Sequence, residues 1–402
     1  MQDRSRRNQA LLALTAAALG LPGIAKSQSA SQTSGGLRLD YHYSQYREGD
    51  LAAEKNINGI SEERFEIDSH RFRVLSPAGE DTEVQLDLAL ESMSGASPWY
   101  VVPGPAGRPV QVMSGATIQD RRKDVSLQTT RRFDSNSATL RAGYSSEDDY
   151  RAVNAALEGA HETPDKLNTF SGGIGFSSDT LDPTDGGSAN YPTRLQHAER
   201  DSITAFAGYA RVLSADSVIQ TSLSYTRHQG FLADPYKQAY IVNPAGTVPD
   251  NRPRTRNQWT WLTRLRQFFS RTDSALHADY RYYRDDWNLS AHTVDLAWHQ
   301  NLGAGWRLVP AARWYSQTAS YFYAPFYDTA RADGLASSDY RQSPYGALSA
   351  SLGVNGEVAG WGLALRYQVY DSDADYSLQS VDTENPGLVD FNVVSLSIKK
   401  AF

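Results

Sequence analysis

Arginines recur through the second half of this 402-residue chain, several two or six residues apart: Arg264 and Arg266, Arg281, Arg307 and Arg313, and Arg366, joined earlier by Arg132 and Arg141. A guanidinium keeps its charge at any physiological pH and presents five donors, so a row of them on one face attracts and binds anions. Carboxylates on the same alternation are fewer: Asp87, Glu91, Asp279 and Asp295, with Asp40 beside His42 near the start. Two chemistries fit. If these side chains line water, they form a cationic wall that favours small anionic solutes. If they pair, as Arg281 would with Asp295 on a neighbouring strand, they fill and rigidify an interior instead. The residue types alone leave both open.

Other combinations are poorer. His228, His277, His292 and His299 are candidate general bases, but no Ser stands in a nucleophile motif, so no catalytic residue is assigned and an enzyme is not expected. His292 and His299 differ by an odd number and fall on opposite faces of one strand, which argues against a shared metal. The run Asp371-Ser-Asp373-Ala-Asp375 opens like a calcium loop, yet Tyr376 takes the glycine position and no Glu closes it. With Asp148, Asp149, Asp182 and Asp185 it reads as a solvated acidic rim, with divalent bridging to lipopolysaccharide as the alternative. Cysteine is absent, so there is no thiolate site or disulfide, and no metal or cofactor is expected. A modest net charge of -7, with the acidic residues mostly in predicted loops, indicates neither nucleic-acid binding nor a polybasic membrane anchor.

The elements that must hold these residues are strands. Period-two alternation recurs, as in Val84, Leu86, Leu88 and Leu90, in Trp361, Leu363, Leu365 and Tyr367, and in Val394, Leu396 and Ile398, with Asp, Arg, Gln, Ser and Gly between. Mean hydropathy is -0.52, and no later stretch approaches the roughly 20 apolar residues of a spanning helix. A barrel that alternates lipid-facing with lumen-facing positions averages out as polar, and 23 Tyr and 8 Trp suit its two interfacial girdles. Long connections near 48–63, 92–120, 179–200, 229–256, 319–342 and 373–389, with short ones at 146–149 and 285–289, alternate with brief turns. The turns are Pro77–Asp81, Asp134–Ser137, Glu162–Asn168, Ser214–Ser217, Ser270–Ser274, Asn301–Gly305 and Asn355–Glu357. This parity predicts an all-β, transmembrane, antiparallel up-and-down barrel of about 16 strands in the bacterial outer membrane, with periplasmic turns and extracellular loops. The lumen positions include all the charged residues named in the opening sentences.

The termini and loops refine the expectation. Arg4 to Arg7, the apolar stretch Ala10–Ala25 and the Ser/Gln-rich segment to Gly36 have the order of an export signal. The chain therefore divides into a signal peptide (1–25), a flexible segment (26–36) and the barrel (37–402). Its last strand ends on Phe402, which resembles the signal read by the outer-membrane barrel-assembly machinery. Loop 92–120, with Trp99-Tyr-Val-Val-Pro103, is apolar and kinked, and loop 230–256 carries Pro235, Pro244, Pro249 and Pro253. Each folds into the mouth, docks a partner or packs on neighbouring loops.

At Asp87–Pro98 a strand runs into Ser94-Gly95-Ala96-Ser97-Pro98, which resembles the signature of an uncharacterised family of Gram-negative exported proteins, a domain of unknown function. The resemblance implies a barrel and supplies no catalytic residues. It also implies genomic company with a small lipoprotein, a thioredoxin-like protein and a flavin transferase. The expected function is a porin-like pore for small, anionic solutes in contact with outer-membrane lipid and lipopolysaccharide. The alternatives are a scaffold for a periplasmic lipoprotein or redox flavoprotein, and an outer-membrane hydrolase.

Overall fold

In the computed structural model, which describes residues 36–114, 118–189 and 191–402, the alternating side chains sort onto the two faces of one closed wall. The described strands are β1 (Arg38–Glu48), β2 (Glu66–Pro77), β3 (Thr82–Gly95), β4 (Pro98–Pro103), β5 (Pro109–Met113), β6 (Ile118–Phe133), β7 (Asn136–Ser146), β8 (Tyr150–Glu162), β9 (Asn168–Leu181) and β10 (Ala198–Ser214). They continue with β11 (Ser217–Gly230), β12 (Gln238–Ile241), β13 (Gly246–Pro249), β14 (Thr255–Phe269), β15 (Ser274–Asp285), β16 (Ser290–Gly303), β17 (Trp306–Gln317), β18 (Tyr345–Val358), β19 (Trp361–Asp373) and β20 (Phe391–Ala401). Sixteen of these close the barrel in chain order, and the closing pair is β1 with β20. The remaining four form two hairpins, β4–β5 and β12–β13, carried in loops. The signal-peptide and flexible-segment assignments at 1–35 lie outside the described residues.

Period-two side-chain placement does the sorting. Leu88 faces Val125, which faces Tyr144, which faces Val153, and all four stand exposed on the outer surface. Leu365, Tyr367 and Val369 continue that band on β19, while Arg366 and Gln368 turn inward. Large apolar side chains left 38–58% exposed in this way are stable only against lipid, and this is a transmembrane barrel. Tryptophans mark both interfaces: Trp259, Trp261 and Trp314 toward the loop end, and Trp298, Trp306 and Trp361 toward the turn end.

Short turns join one end of the wall, several through a left-handed residue such as Asp134, Asp273, Ala304 or Ala359. The last turn is displaced from the Asn355–Glu357 expected on sequence to Ala359-Gly360. The reason is Gly356, which stays in the ladder opposite Leu363: a Cβ there would come within 2.5 Å of the Trp306 indole, so this glycine makes room for a ring rather than a turn.

At the other end lie loop 1 (49–65), loop 2 (described over 96–114), loop 3 (147–149), loop 4 (182–197), loop 5 (231–254), loop 6 (286–289), loop 7 (318–344) and loop 8 (374–390). Most of the fully buried residues belong here and not to the wall: Val101, Phe322, Ser337, Asp339, Ser343 and Asn385. The loops thus have a core of their own.

Candidate functional site

Strand register places Asp87, Glu91, Arg132, Arg141, Arg264, Arg266, Asp279, Arg281, Asp295, Arg307, Arg313 and Arg366 on the lumen face, together with Asp40, His42 and His277. Cross-strand neighbours decide which of them meet. Arg73 binds Asp87 at 2.6 Å, and Glu91 collects Arg71 at 3.0 Å and Arg122 at 3.7 Å. Arg266 pairs with Asp279, which Arg264 approaches to 3.5 Å. Other arginines rest on neutral oxygens: Arg141 on Gln128 at 2.6 Å, Arg307 on Asn301 at 3.0 Å, and Arg366 on Ser351 at 2.8 Å.

One expected pair is corrected. Asp295 binds Arg313, which stands directly opposite it across β16–β17, whereas Arg281 stands opposite Thr293 and its Nε is buried without a hydrogen-bond partner among the described residues. The direct cross-strand neighbour wins because its Cβ is about 5 Å away, closer than any diagonal one.

The wall is asymmetric. Between the loop-end pair Arg256–Asp285 and the turn end, inward positions of β14 to β20 carry seven cations among the described residues, namely Arg264, Arg266, Arg281, Arg307, Arg313, Arg366 and Lys399. Only three carboxylates, Asp279, Asp295 and Glu357, share those strands inside. Arg313 and Arg73 are each half exposed, so water reaches the lumen from within. His277 and His299, not paired by sequence reasoning, pack here with ring centroids 4.0 Å apart and planes tilted by 37°. The signal was present, since residues of like face on adjacent strands meet, but it required the register. His292 points outward and bonds Tyr280 at 2.8 Å, and His228 lies between Ser202 and Gln258. No group of three His, Asp or Glu among the described residues is arranged to hold a metal ion.

Above the lumen the loops interlock. Loops 2, 5 and 7 are rooted six, four and six strands apart around the wall, and they meet at one point. There Lys237 of loop 5 donates to the Pro98 carbonyl of loop 2 at 3.1 Å and lies 3.9 Å from Asp339 of loop 7. Asp339 also receives Arg252 at 2.8 Å and pairs with Arg341, while Asp250 holds Arg252 and Asp234 holds Arg341. Three cations balance three carboxylates in a largely buried cluster. Burial alone would raise the Asp339 carboxyl, but Arg341, Lys237 and Arg252 hold it well below the usual range. Burial lowers the Lys237 ammonium, with Asp339 opposing. An apolar patch beside it joins Ala239 and Ile241 of β12 to Tyr327 and Ala336 of loop 7.

Loop 2 therefore packs on its neighbours, as one of the three sequence alternatives had it. Its motif has a specific geometry: Gly95 sits at φ +131°, where a Cβ would strike the Arg64 carbonyl of loop 1 at 2.2 Å. Ala96 and Ser97 then cross, buried, to Pro98 at the start of β4. Arg64 is itself buried and bonds Glu48 at 2.8 Å and the loop 8 carbonyls of Leu388 and Gly387 at 3.1 and 3.2 Å. The acidic rim is less solvated than expected. Asp182 meets Arg151 at 2.6 Å and His197 at 2.7 Å, Asp185 meets Arg194 at 3.4 Å, and Asp149 is buried under Tyr236 of loop 5. Burial, with repulsion from Asp120, raises the neighbouring Glu147 carboxyl to about 8. Asp373 only caps a short turn, accepting from the Asp375 amide at 2.8 Å. Phe402 ends the seam, its amide bonded to the Leu37 carbonyl at 2.9 Å.

A family model described as "Protein of unknown function (DUF3570)" matches residues 11–388. No protein with a curated description matches. Among solved structures, a ferric enterobactin receptor of Pseudomonas aeruginosa is similar at 10% identity and a TM-score of 0.44, over 85% of this chain and 54% of that one. A bacterial polysaccharide outer membrane secretin is similar at 11% identity and 0.47, over 92% and 99%, and the translocator domain of the autotransporter NalP from Neisseria meningitidis at 12% and 0.34, over 97% and 94%. The chain spans about half the length of the receptor it matches.

Proposed function

Because the chain belongs to the DUF3570 family, whose function is unknown, its ancestry supplies no activity, and we propose from its lumen that it is a bacterial outer-membrane pore preferring small anionic solutes. The observation that carries this is the charge imbalance on the β14–β20 wall, where, between the Arg256–Asp285 pair and the turn end, seven cations share the inner face with three carboxylates. Fixed guanidiniums raise the local concentration of anions, and the barrel's sixteen strands leave room for an aqueous passage. The meeting of loops 2, 5 and 7 restricts the outer mouth and sets the size limit. No catalytic step belongs to this reading. Purified protein in planar bilayers tests it: a salt gradient should give single-channel events with a reversal potential on the anion side, and silence at every voltage would remove the pore.

A second reading is favoured by the same cap. With the outer mouth laced by buried contacts and the lumen water-accessible, the interior serves equally as a socket for a segment of a periplasmic lipoprotein or redox protein. Gently solubilised envelopes should then yield a stoichiometric partner on pull-down, and a barrel recovered alone would count against the socket.

A further inference from the structure

The two packed imidazoles belong to a longer row. Arg266 on β14 stands directly opposite His277 on β15, His277 packs on His299 of β16, and Arg307 on β17 lies one diagonal step beyond, opposite Asn301. All four face the lumen near the short-turn end. We propose that Arg266, His277, His299 and Arg307 form a binding site for a tetrahedral oxyanion, the phosphate group of a small solute, on the wall of the lumen. The site rests on the reading of the lumen as a water-filled passage and names the solute class that passage takes.

The chemistry is that of four neighbouring side chains that can each donate and none of which carries negative charge. Arg307 presents a planar fork whose partner is a neutral amide oxygen, Asn301 at 3.0 Å, so its charge is not cancelled. The Nδ1 of His299 is buried with no hydrogen-bond partner among the described residues, a polar atom left unmatched beside the row. Arg266 is held in place by Asp279, which Arg264 also approaches, so one carboxylate serves two guanidiniums and positive charge remains. Across from Val309, next to Arg307, stands Gly353 of β18, whose missing side chain keeps the wall low beside the row. A phosphate group accepts several donors at once and carries up to two charges, so it uses a row of this kind more fully than a carboxylate does. Among the described residues the two imidazoles have no third His, Asp or Glu arranged with them to complete a metal-ligand set.

The test is calorimetric titration of the full chain in neutral detergent with inorganic phosphate, with acetate as a second probe. Wild type should bind phosphate saturably at one site and more tightly than acetate. Arg307→Gln and His299→Phe, which keeps a packed ring but no ring nitrogen, should each weaken phosphate by about ten-fold. Arg151→Gln, on the outer face of β8 and away from the lumen, should leave binding unchanged. Heat-modifiable gel migration checks closure of each variant, and Arg307→Lys stands in if Arg307→Gln does not close. Absence of saturable phosphate binding, or equal weakening by Arg151→Gln, overturns the site. Bilayer recordings separate this result from the pore: phosphate binding without conductance upholds the site and overturns the pore, whereas conductance that phosphate never blocks overturns the site alone.

Discussion

The Nζ of Lys237 donates to the carbonyl of Pro98 at 3.1 Å although their loops are rooted six strands apart on the wall. Each partner could have been solvated on its own side, so the bond exists because both loops cross the mouth. Lys237→Met keeps the stem and removes the charge, leaving Asp339 with Arg252 and Arg341 but Pro98 without its donor. Removing one member of a buried ionic network costs about 3–5 kcal/mol. Hydrogen exchange should speed up in loops 2, 5 and 7 and stay unchanged in the barrel strands, and single-channel conductance should rise. Unaltered loop protection would show that the cap does not depend on this contact.

Glu147 sets a pH dependence. Its carboxyl is raised to about 8 in the fold against 4.5 for the free group, so between those values the folded form holds a proton that the unfolded form has lost. Stability from this group is complete below pH 4.5, falls as pH rises toward 8 by at most about 1.4 kcal/mol per unit, and then levels off. The loss should appear where Glu147 lies, as weakening protection of loop 3 and of the Tyr236 contact to Asp149. In Glu147→Gln that slope should vanish, and a variant with the wild-type slope would assign the effect to other groups.

The cationic wall predicts a graded change in selectivity. Replacing Arg313 or Arg366 by Gln removes one lumen charge. For a monovalent anion roughly 10 Å away in water this is worth about 0.4 kcal/mol, or about two-fold in relative permeability. Arg366→Gln should show the plain effect, because its partner Ser351 is neutral. Arg313→Gln also releases Asp295 from its ion pair and should shift the reversal potential further toward cations. Equal small shifts, or none, would place the permeating ion away from these strands.

Gly95 is required twice over, by its positive φ and by the Arg64 carbonyl against it. Gly95→Ala should therefore displace loop 1 from loop 2 at a cost of several kcal/mol, of the order seen when a buried contact and a left-handed residue are lost together. Proteolytic nicking within 49–65 and 96–114, in a barrel that still migrates as closed, is the expected result. Resistance equal to wild type would make the glycine incidental.

Much of this was legible in the chain. Alternation such as Leu86-Asp87-Leu88 and the parity of long and short connections fix strand number and facing, because period two leaves only one face for each residue. That is why residues such as Arg264, Asp279 and Arg313 could be assigned to the lumen before register was known, although Arg73, Arg122, Glu357 and Lys399, which share that face, were not singled out. Partnership is a different matter. Asp295 with Arg313 in place of Arg281, and His277 with His299, depend on which residue stands across the ladder, and that offset is set by turns such as Ala359-Gly360, one of which was misplaced. The cap was least legible of all. Pro98, Lys237 and Asp339 are more than a hundred residues apart in turn, with no period to relate them, and their meeting follows only once the wall has brought three loop roots into one ring.

Arg64 also bears on how the molecule is made. It sits in the loop between β1 and β2, yet two of its hydrogen bonds reach loop 8 between β19 and β20, so it spans the seam at which the first and last strands pair. Closing that seam joins the residues most distant in sequence and carries the largest chain-closure entropy, which makes it the natural final event of assembly. A half-built sheet cannot form the Arg64 bonds. They act as a clasp that engages only after the cylinder has shut, and an open intermediate would be distinguished from the finished barrel by an exposed, reactive guanidinium at this one position.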